Sequence, residues 1–375
     1  MKPIKILVSA RDPASANDLV PILLSMLKDK RFFVKILAQN PAHDFFMRKI
    51  PNLNIGQLVQ YKANYQMDEI DRNIIAFFDE FDPDCLLTGI SGPNNFGIDE
   101  ILLNIGGKRR KVKTFSVQSY WGDVNKSLGF IANTIFVIDD FANKITLSRA
   151  SDSNTIITGP LQSEIYNKVD VNKERTLFKD KYDGHDVSMV GLFGQPLFEH
   201  GWYRDTMKSF IETLNRVDQP VKVVYKPHPK ESLLSIKWMT DQLSRSNLDF
   251  IVPEDQEVLS VIAGTDVAVS LFSTIGYDLQ NLLKKSEYAF SIPLYLFFNE
   301  ECRRWFKRYC HLSKIPMSEN GAIVIDREED MERLILKAFS SWERLNLHSI
   351  LLRQPFAVTD QYAIISGAII SDVLN

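Results

Sequence analysis

At 375 residues the chain is roughly twice the length of a common domain, so two domains are expected, and its 45% hydrophobic and 24% charged residues exclude a disordered or fibrous chain. Basic residues (44) nearly balance acidic ones (47), and the formal charge of −3 excludes a global field that would collect nucleic acid. The three cysteines, Cys85, Cys302 and Cys310, form no even framework and no CxxC pair, which argues against structural disulfides and a zinc site and points to a cytoplasmic home.

From the N-terminus, short β-branched runs alternate with amphipathic stretches of helical length, the pattern of βα units around a parallel sheet. The opening residues run straight into a strand, with no signal peptide, and no apolar stretch reaches the ~20 residues of a membrane span. Strands are predicted at 4–10, 33–38, 84–90, 113–118, 134–138 and 155–158, and helices at 17–30, 42–50, 67–81 and 97–107, with Asn17 or Asp18 capping the first. The charged, weakly patterned stretch from Gly159 to about Asp186 reads as a linker. The alternation then resumes, with strands at 187–193, 221–225, 249–252, 266–271, 287–291 and 322–325 and helices at 202–216, 231–246, 255–263, 275–284, 299–309 and 328–343. The expected organisation is an N-terminal acceptor domain (1–165), a C-terminal donor domain (186–345) and a terminal helical segment (346–375) that returns to the first domain. Basic clusters at 108–113 and 303–308 read as solvated helix faces, with contact at the inner face of a membrane or with a phosphate-bearing acceptor as the alternative.

Chemistry concentrates where predicted strands end. In Val221–Glu231 a strand runs into Lys226-Pro227-His228-Pro229, and the flanking prolines hold the imidazole in a fixed direction at the edge where open α/β sheets bind ligands. Lys226 and His228 suit a phosphate group, against the plainer reading of a packed turn. In Asp266–Asp278 a strand leads to Ser270, Ser273, Thr274 and Gly276 at a helix start, where hydroxyls and free amides bind anions or simply cap the helix. Asp278 is placed to reach ribose hydroxyls, and Gly194, after the first strand of the second half, to permit close approach of a ligand. After the first strand, Asp12 is a candidate general base, or else an Asp-Pro turn. No GxGxxG follows that strand, which disfavours a dinucleotide dehydrogenase. Two further loops, around Ser91 and Asn94 and around Gln118, Trp121 and Asp123, carry the mixture of polar and aromatic side chains that orients a sugar acceptor.

Thr158-Gly159-Pro160, Lys226-Pro227-His228-Pro229 and Ser270 to Gly276 together resemble the GT-B glycosyltransferases, the class of two Rossmann-like domains facing a central cleft that also includes the UDP-N-acetylglucosamine 2-epimerases. The His-Pro and Ser/Thr elements are similar to those of bacterial sialyltransferases and capsule or teichoic-acid transferases. That resemblance implies glycosyl transfer from a CMP-, CDP- or UDP-linked sugar to a saccharide or lipid-linked acceptor, without metal or cofactor. In this scheme Asp12 activates the acceptor, His228 and Lys226 stabilise the departing phosphate, and Ser273 and Thr274 anchor it. The acidic-acidic-Gly base motif of several sialyltransferases has no match here. The alternatives are a sugar-nucleotide epimerase or hydrolase on the same scaffold, and a non-catalytic nucleotide-sugar-binding protein.

Overall fold

The computed structural model describes residues 2–374 apart from 51, 52, 54, 55, 62–66, 92–96, 125, 127, 254, 255 and 355–359. The chain divides into two compact units, one of residues 1–163 with 357–375 and one of residues 164–356. Each is a parallel sheet with helices, so the expected α/β architecture of two Rossmann-like domains holds.

The first unit runs β1 (Ile4–Ala10), α1 (Pro13–Met26), β2 (Phe32–Gln39), α2 (Ala42–Lys49), β3 (Leu58–Tyr61), α3 (Met67–Phe81), β4 (Cys85–Thr88), α4 (Ile98–Leu103), β5 (Lys113–Val117), β6 (Thr134–Val137), α5 (Asp140–Arg149) and β7 (Asn154–Ile157). A π-helical stretch over Asn104–Arg110 extends α4. The strands order as β3-β2-β1-β4-β5-β6-β7, every pair parallel. Near-continuous apolar strands such as Ile4–Ala10 form here because both faces of a parallel sheet are covered by helices. Helix α1 opens with Pro13 and with Asp12 at the cap position, several residues before the expected caps, because proline's fixed φ suits the first helical residue.

The second unit runs α6 (Ser163–Lys168), α7 (Val171–Lys181), β8 (Ser188–Phe193), α8 (Gly201–Leu214), β9 (Val221–Lys226), α9 (Leu233–Arg245), β10 (Asp249–Ile251), α10 (Val258–Gly264), β11 (Val267–Ser270), α11 (Ile275–Lys285), β12 (Ile292–Leu296), α12 (Glu300–Tyr309), β13 (Ile323–Ile325), α13 (Met331–Phe339) and α14 (Ser341–Leu352). Its parallel order is β10-β9-β8-β11-β12-β13. The final helix, α15 (Gln361–Leu374), groups with the first unit: Ile365 and Ile369 enter the core formed by β1, β2 and α1, and the Tyr362 hydroxyl donates to Asp29 at 2.6 Å.

Several boundaries differ from expectation. The stretch read as a linker holds α6 and α7, whose buried Val171 and Phe178 lie two turns apart, a stripe too sparse to show as periodicity. The strand expected at 287–291 is Ile292–Leu296, fully buried although it contains Pro293, a residue that normally argues against an inner strand. The single helix expected over 328–343 breaks at Ser340, whose backbone is extended, and α14 then takes up the start of the expected terminal segment. Strand β3 and helix α5 had no periodicity strong enough to reveal them. Among the described residues no helix is long and apolar enough to cross a membrane.

Candidate functional site

Both sheets reverse their strand order once, between β1 and β4 in the first unit and between β8 and β11 in the second. Open α/β sheets bind ligands beyond the carboxyl ends of the strands at such a reversal, and the chemistry-bearing residues of each unit gather there.

In the second unit three segments leave the sheet side by side: Gly194-Gln195 after β8, Lys226–Pro229 after β9 and Leu271–Thr274 after β11. The buried Gln195 joins two of them, its Oε1 accepting the Leu271 and Phe272 amides at 3.0 and 3.3 Å. The Gly194 amide donates to the Lys226 carbonyl at 3.0 Å. In the proline-flanked turn, His228 Nδ1 accepts the Lys230 amide at 3.0 Å, so a neutral ring carries its proton on Nε2. Burial, aided by the Lys230 charge, lowers the imidazole to about 4, which keeps it neutral near pH 7. Lys226 Nζ donates to the Gln256 carbonyl at 2.8 Å. At the start of α11, Ser273 Oγ accepts the Ile275 amide at 3.3 Å, and Thr274 sits at the cap position without a side-chain capping bond. Among the described residues the Ser273 and Thr274 amides donate to no protein acceptor, which leaves a helix N-terminus with open donors.

Three of the residues expected here have close protein neighbours of their own. Gly276 is required by packing, since a Cβ there would overlap the Tyr295 hydroxyl, which donates to the Ser273 carbonyl at 3.2 Å. Gly194 is required by a protein neighbour too, the Glu231 carboxylate, which a Cβ would overlap. Asp278 already accepts the Tyr166 hydroxyl at 2.6 Å. Ser270 is the buried last residue of β11.

In the first unit the strand ends present carboxyls. Asp12 follows β1, caps no amide with its side chain, and pairs with Arg11 at 3.3 Å. Asp99, at the start of α4, accepts the Ser91 amide at 2.7 Å and the Ser91 hydroxyl on Oδ2, while its buried Oδ1 has no partner among the described residues. Burial holds the Asp99 carboxyl up to about 6, against the Ser91 hydrogen bonds and the Arg11 charge and with the Asp12 charge. Burial likewise pushes half-buried Asp123 up to about 7, with Arg149 opposing and the Asp99 and Asp12 charges reinforcing. The three carboxyls therefore lie within electrostatic reach of one another and couple in their ionisation. Asp18 is also raised to about 6 by burial, against the Gln162 amide that donates to its Oδ1 at 3.2 Å. Gln118 supports the loop that carries Asp123, its Nε2 donating to the Asp123 carbonyl and to Thr146 Oγ1, each at 2.9 Å.

Trp121 is not the sugar platform expected: it is 2% exposed and its indole donates to Asp139 at 2.9 Å, so its ring is spent in the core. Asn94 lies outside the described residues. Asp99, Gln195 and Glu231 carried no role in the sequence analysis. The one signal for Asp99 was a charge three and four residues before Leu102 and Leu103, on the apolar face of a short helix.

No protein-family profile matches the chain and no curated protein is detectably similar to it. Its fold is similar along nearly its whole length to solved structures. An S. aureus MnaA–UDP co-structure aligns with TM-score 0.68 at 14% identity, covering 99% of this chain and 97% of that one. A UDP-GlcNAc 2-epimerase from Neisseria meningitidis bound to UDP-GlcNAc aligns with TM-score 0.66 at 15% identity, covering 98% and 100%. A glycosyltransferase from Rickettsia africae aligns with TM-score 0.61 at 8% identity, covering 100% of both chains. These likenesses establish a GT-B-like, Rossmann-like fold. They also overturn glycosyl transfer as the leading expectation from sequence: several of the similar structures are of UDP-GlcNAc 2-epimerases, against one glycosyltransferase among those named here.

Proposed function

We propose that this protein binds a UDP-linked N-acetylhexosamine or a close relative and acts on its sugar without a second acceptor, as a sugar-nucleotide epimerase or hydrolase of the UDP-GlcNAc 2-epimerase type. The observation that carries this reading is the set of coupled carboxyls, Asp12, Asp99 and Asp123, at the strand-order reversal of the first unit. Inverting a C–H centre requires one group to take a proton and another to return it to the opposite face. Carboxyls held near 6 and 7 populate both protonation states at neutral pH. In the second unit, the open amides of Ser273 and Thr274, the α11 N-terminus, the neutral Nε2–H of His228 and Lys226 supply the donors and positive charge a diphosphate needs. Similarity to structures holding UDP and UDP-GlcNAc supports that choice of ligand class.

The test is incubation with UDP-GlcNAc alone in D2O at neutral pH, followed by NMR. An epimerase yields the C2 epimer with deuterium at C2, and a hydrolase yields free sugar and UDP. An unchanged sugar nucleotide in the presence of protein shown to bind UDP would remove the catalytic reading.

A further inference from the structure

The Lys226–Pro229 turn is held by a residue outside it. Glu231 lies on the short connection to α9, and its two carboxylate oxygens accept three hydrogen bonds: the His228 amide on Oε2 at 2.7 Å, and on Oε1 the Tyr225 hydroxyl at 3.1 Å and the Ser235 hydroxyl at 2.8 Å. The donors come from the end of β9, from the turn and from the first turn of α9, so one carboxylate ties strand, turn and helix together. It rests directly over the backbone of Gly194, where any side chain would occupy its place. Burial raises Glu231 above the usual carboxylate range, and the three donors act against that shift. Among the described residues Glu231 has no cationic partner. A half-buried carboxylate without a counter-charge is costly to keep, and here two of its bonds fix the carboxylate while the third holds the His228 amide.

The imidazole is therefore fixed twice. Glu231 holds the His228 amide and so fixes the turn, and only in that turn does the Lys230 amide meet Nδ1 and set the tautomer. Nε2–H has no protein acceptor among the described residues, which leaves one directed, uncharged N–H at the carboxyl edge of the sheet.

We infer that Glu231 is a positioning residue that aims the His228 Nε2–H at a phosphate oxygen of the bound nucleotide, with Gly194 as the space it needs; the ligand in this statement rests on the function proposed above. The test uses the full chain as wild type, H228A, E231A, the double variant, E231Q and G194A, with UDP binding by calorimetry and the His228 tautomer by 15N–1H correlation on histidine-labelled protein. H228A is expected to weaken UDP about tenfold, the size of one hydrogen bond to a charged group. E231A is expected to weaken it about fivefold and to mix the His228 tautomers, while the double variant binds no more weakly than H228A to within about twofold, since both changes act through one contact. E231Q keeps acceptor oxygen for the His228 amide and should restore most of the affinity. Unchanged affinity in folded E231A, or losses that multiply in the double variant, would overturn the assignment. Should E231A not fold, G194A displaces the same carboxylate and must show the same two effects. If UDP binds none of these proteins, the wild type included, the function reading fails, and the tautomer comparison alone then decides whether Glu231 positions His228: an unmoved tautomer refutes it.

Discussion

Replacing Asp99 by asparagine tests the central electrostatic claim about the first unit. Asp99 is 1% exposed, and burial moves its carboxyl from 3.8 to about 6. At 1.36 kcal/mol per unit, that shift is worth about 3 kcal/mol as an upper figure. The sign follows from proton linkage. Between pH 4 and 6 the folded protein keeps a proton that the unfolded chain has released, so stability present below about pH 4 is lost as the pH rises through about 6. Asp123 and Asp18 act in the same direction, and His228, lowered to about 4, acts in the opposite one between its ordinary value and 4. The wild-type curve is thus a composite, and the informative quantity is its difference from Asp99→Asn. The asparagine retains a carbonyl oxygen for the Ser91 amide and hydroxyl and has nothing to ionise. Urea denaturation at intervals from pH 4 to 7.5 should show the variant gaining on wild type by about 2–3 kcal/mol across that range, somewhat more where Asp123 ionises more readily beside a neutral neighbour. Parallel curves would show that Asp99 is ionised in the fold, and the proposed proton-carrying set would lose its best-buried member.

Three further outcomes follow from packing and hydrogen bonding. Gly276→Ala should cost about 1–3 kcal/mol by forcing a Cβ against the Tyr295 hydroxyl and the ring carbon that bears it, and part of that cost should vanish in the Tyr295→Phe background; chemical denaturation of the two single variants and the double checks it. Trp121→Ala should destabilise the protein by about 3–5 kcal/mol, as expected for a fully buried tryptophan, whereas Trp121→Phe, if folded, should leave UDP affinity within about twofold because the ring is buried in the core. Tyr166→Phe removes the 2.6 Å bond to Asp278 and should lower stability by about 1–2 kcal/mol, read as a shift in the urea midpoint without a change in slope.

The sequence was sufficient to identify the architecture because parallel sheets covered on both faces need apolar, β-branched strands separated by amphipathic helices, and that need is written locally. Ile4–Ala10, Ser188–Phe193 and Val221–Lys226 were each legible within a residue or so. The proline-flanked His228 and the Ser273-Thr274 helix start were legible as positions, since turn chemistry and helix entry are also local. What the tertiary structure alone decided were pairings between distant residues: Ser91 with Asp99, Gln195 with the amides after β11, Glu231 over Gly194, and Tyr295 against Gly276. The same glycine reads as room for a ligand or room for a neighbouring side chain until the neighbour is placed. Trp121 reads as a surface ring or a core ring until its burial is known. Burial and through-space charge set the state of Asp99, Asp123 and His228, and both depend on where the chain returns, which no short stretch of sequence encodes.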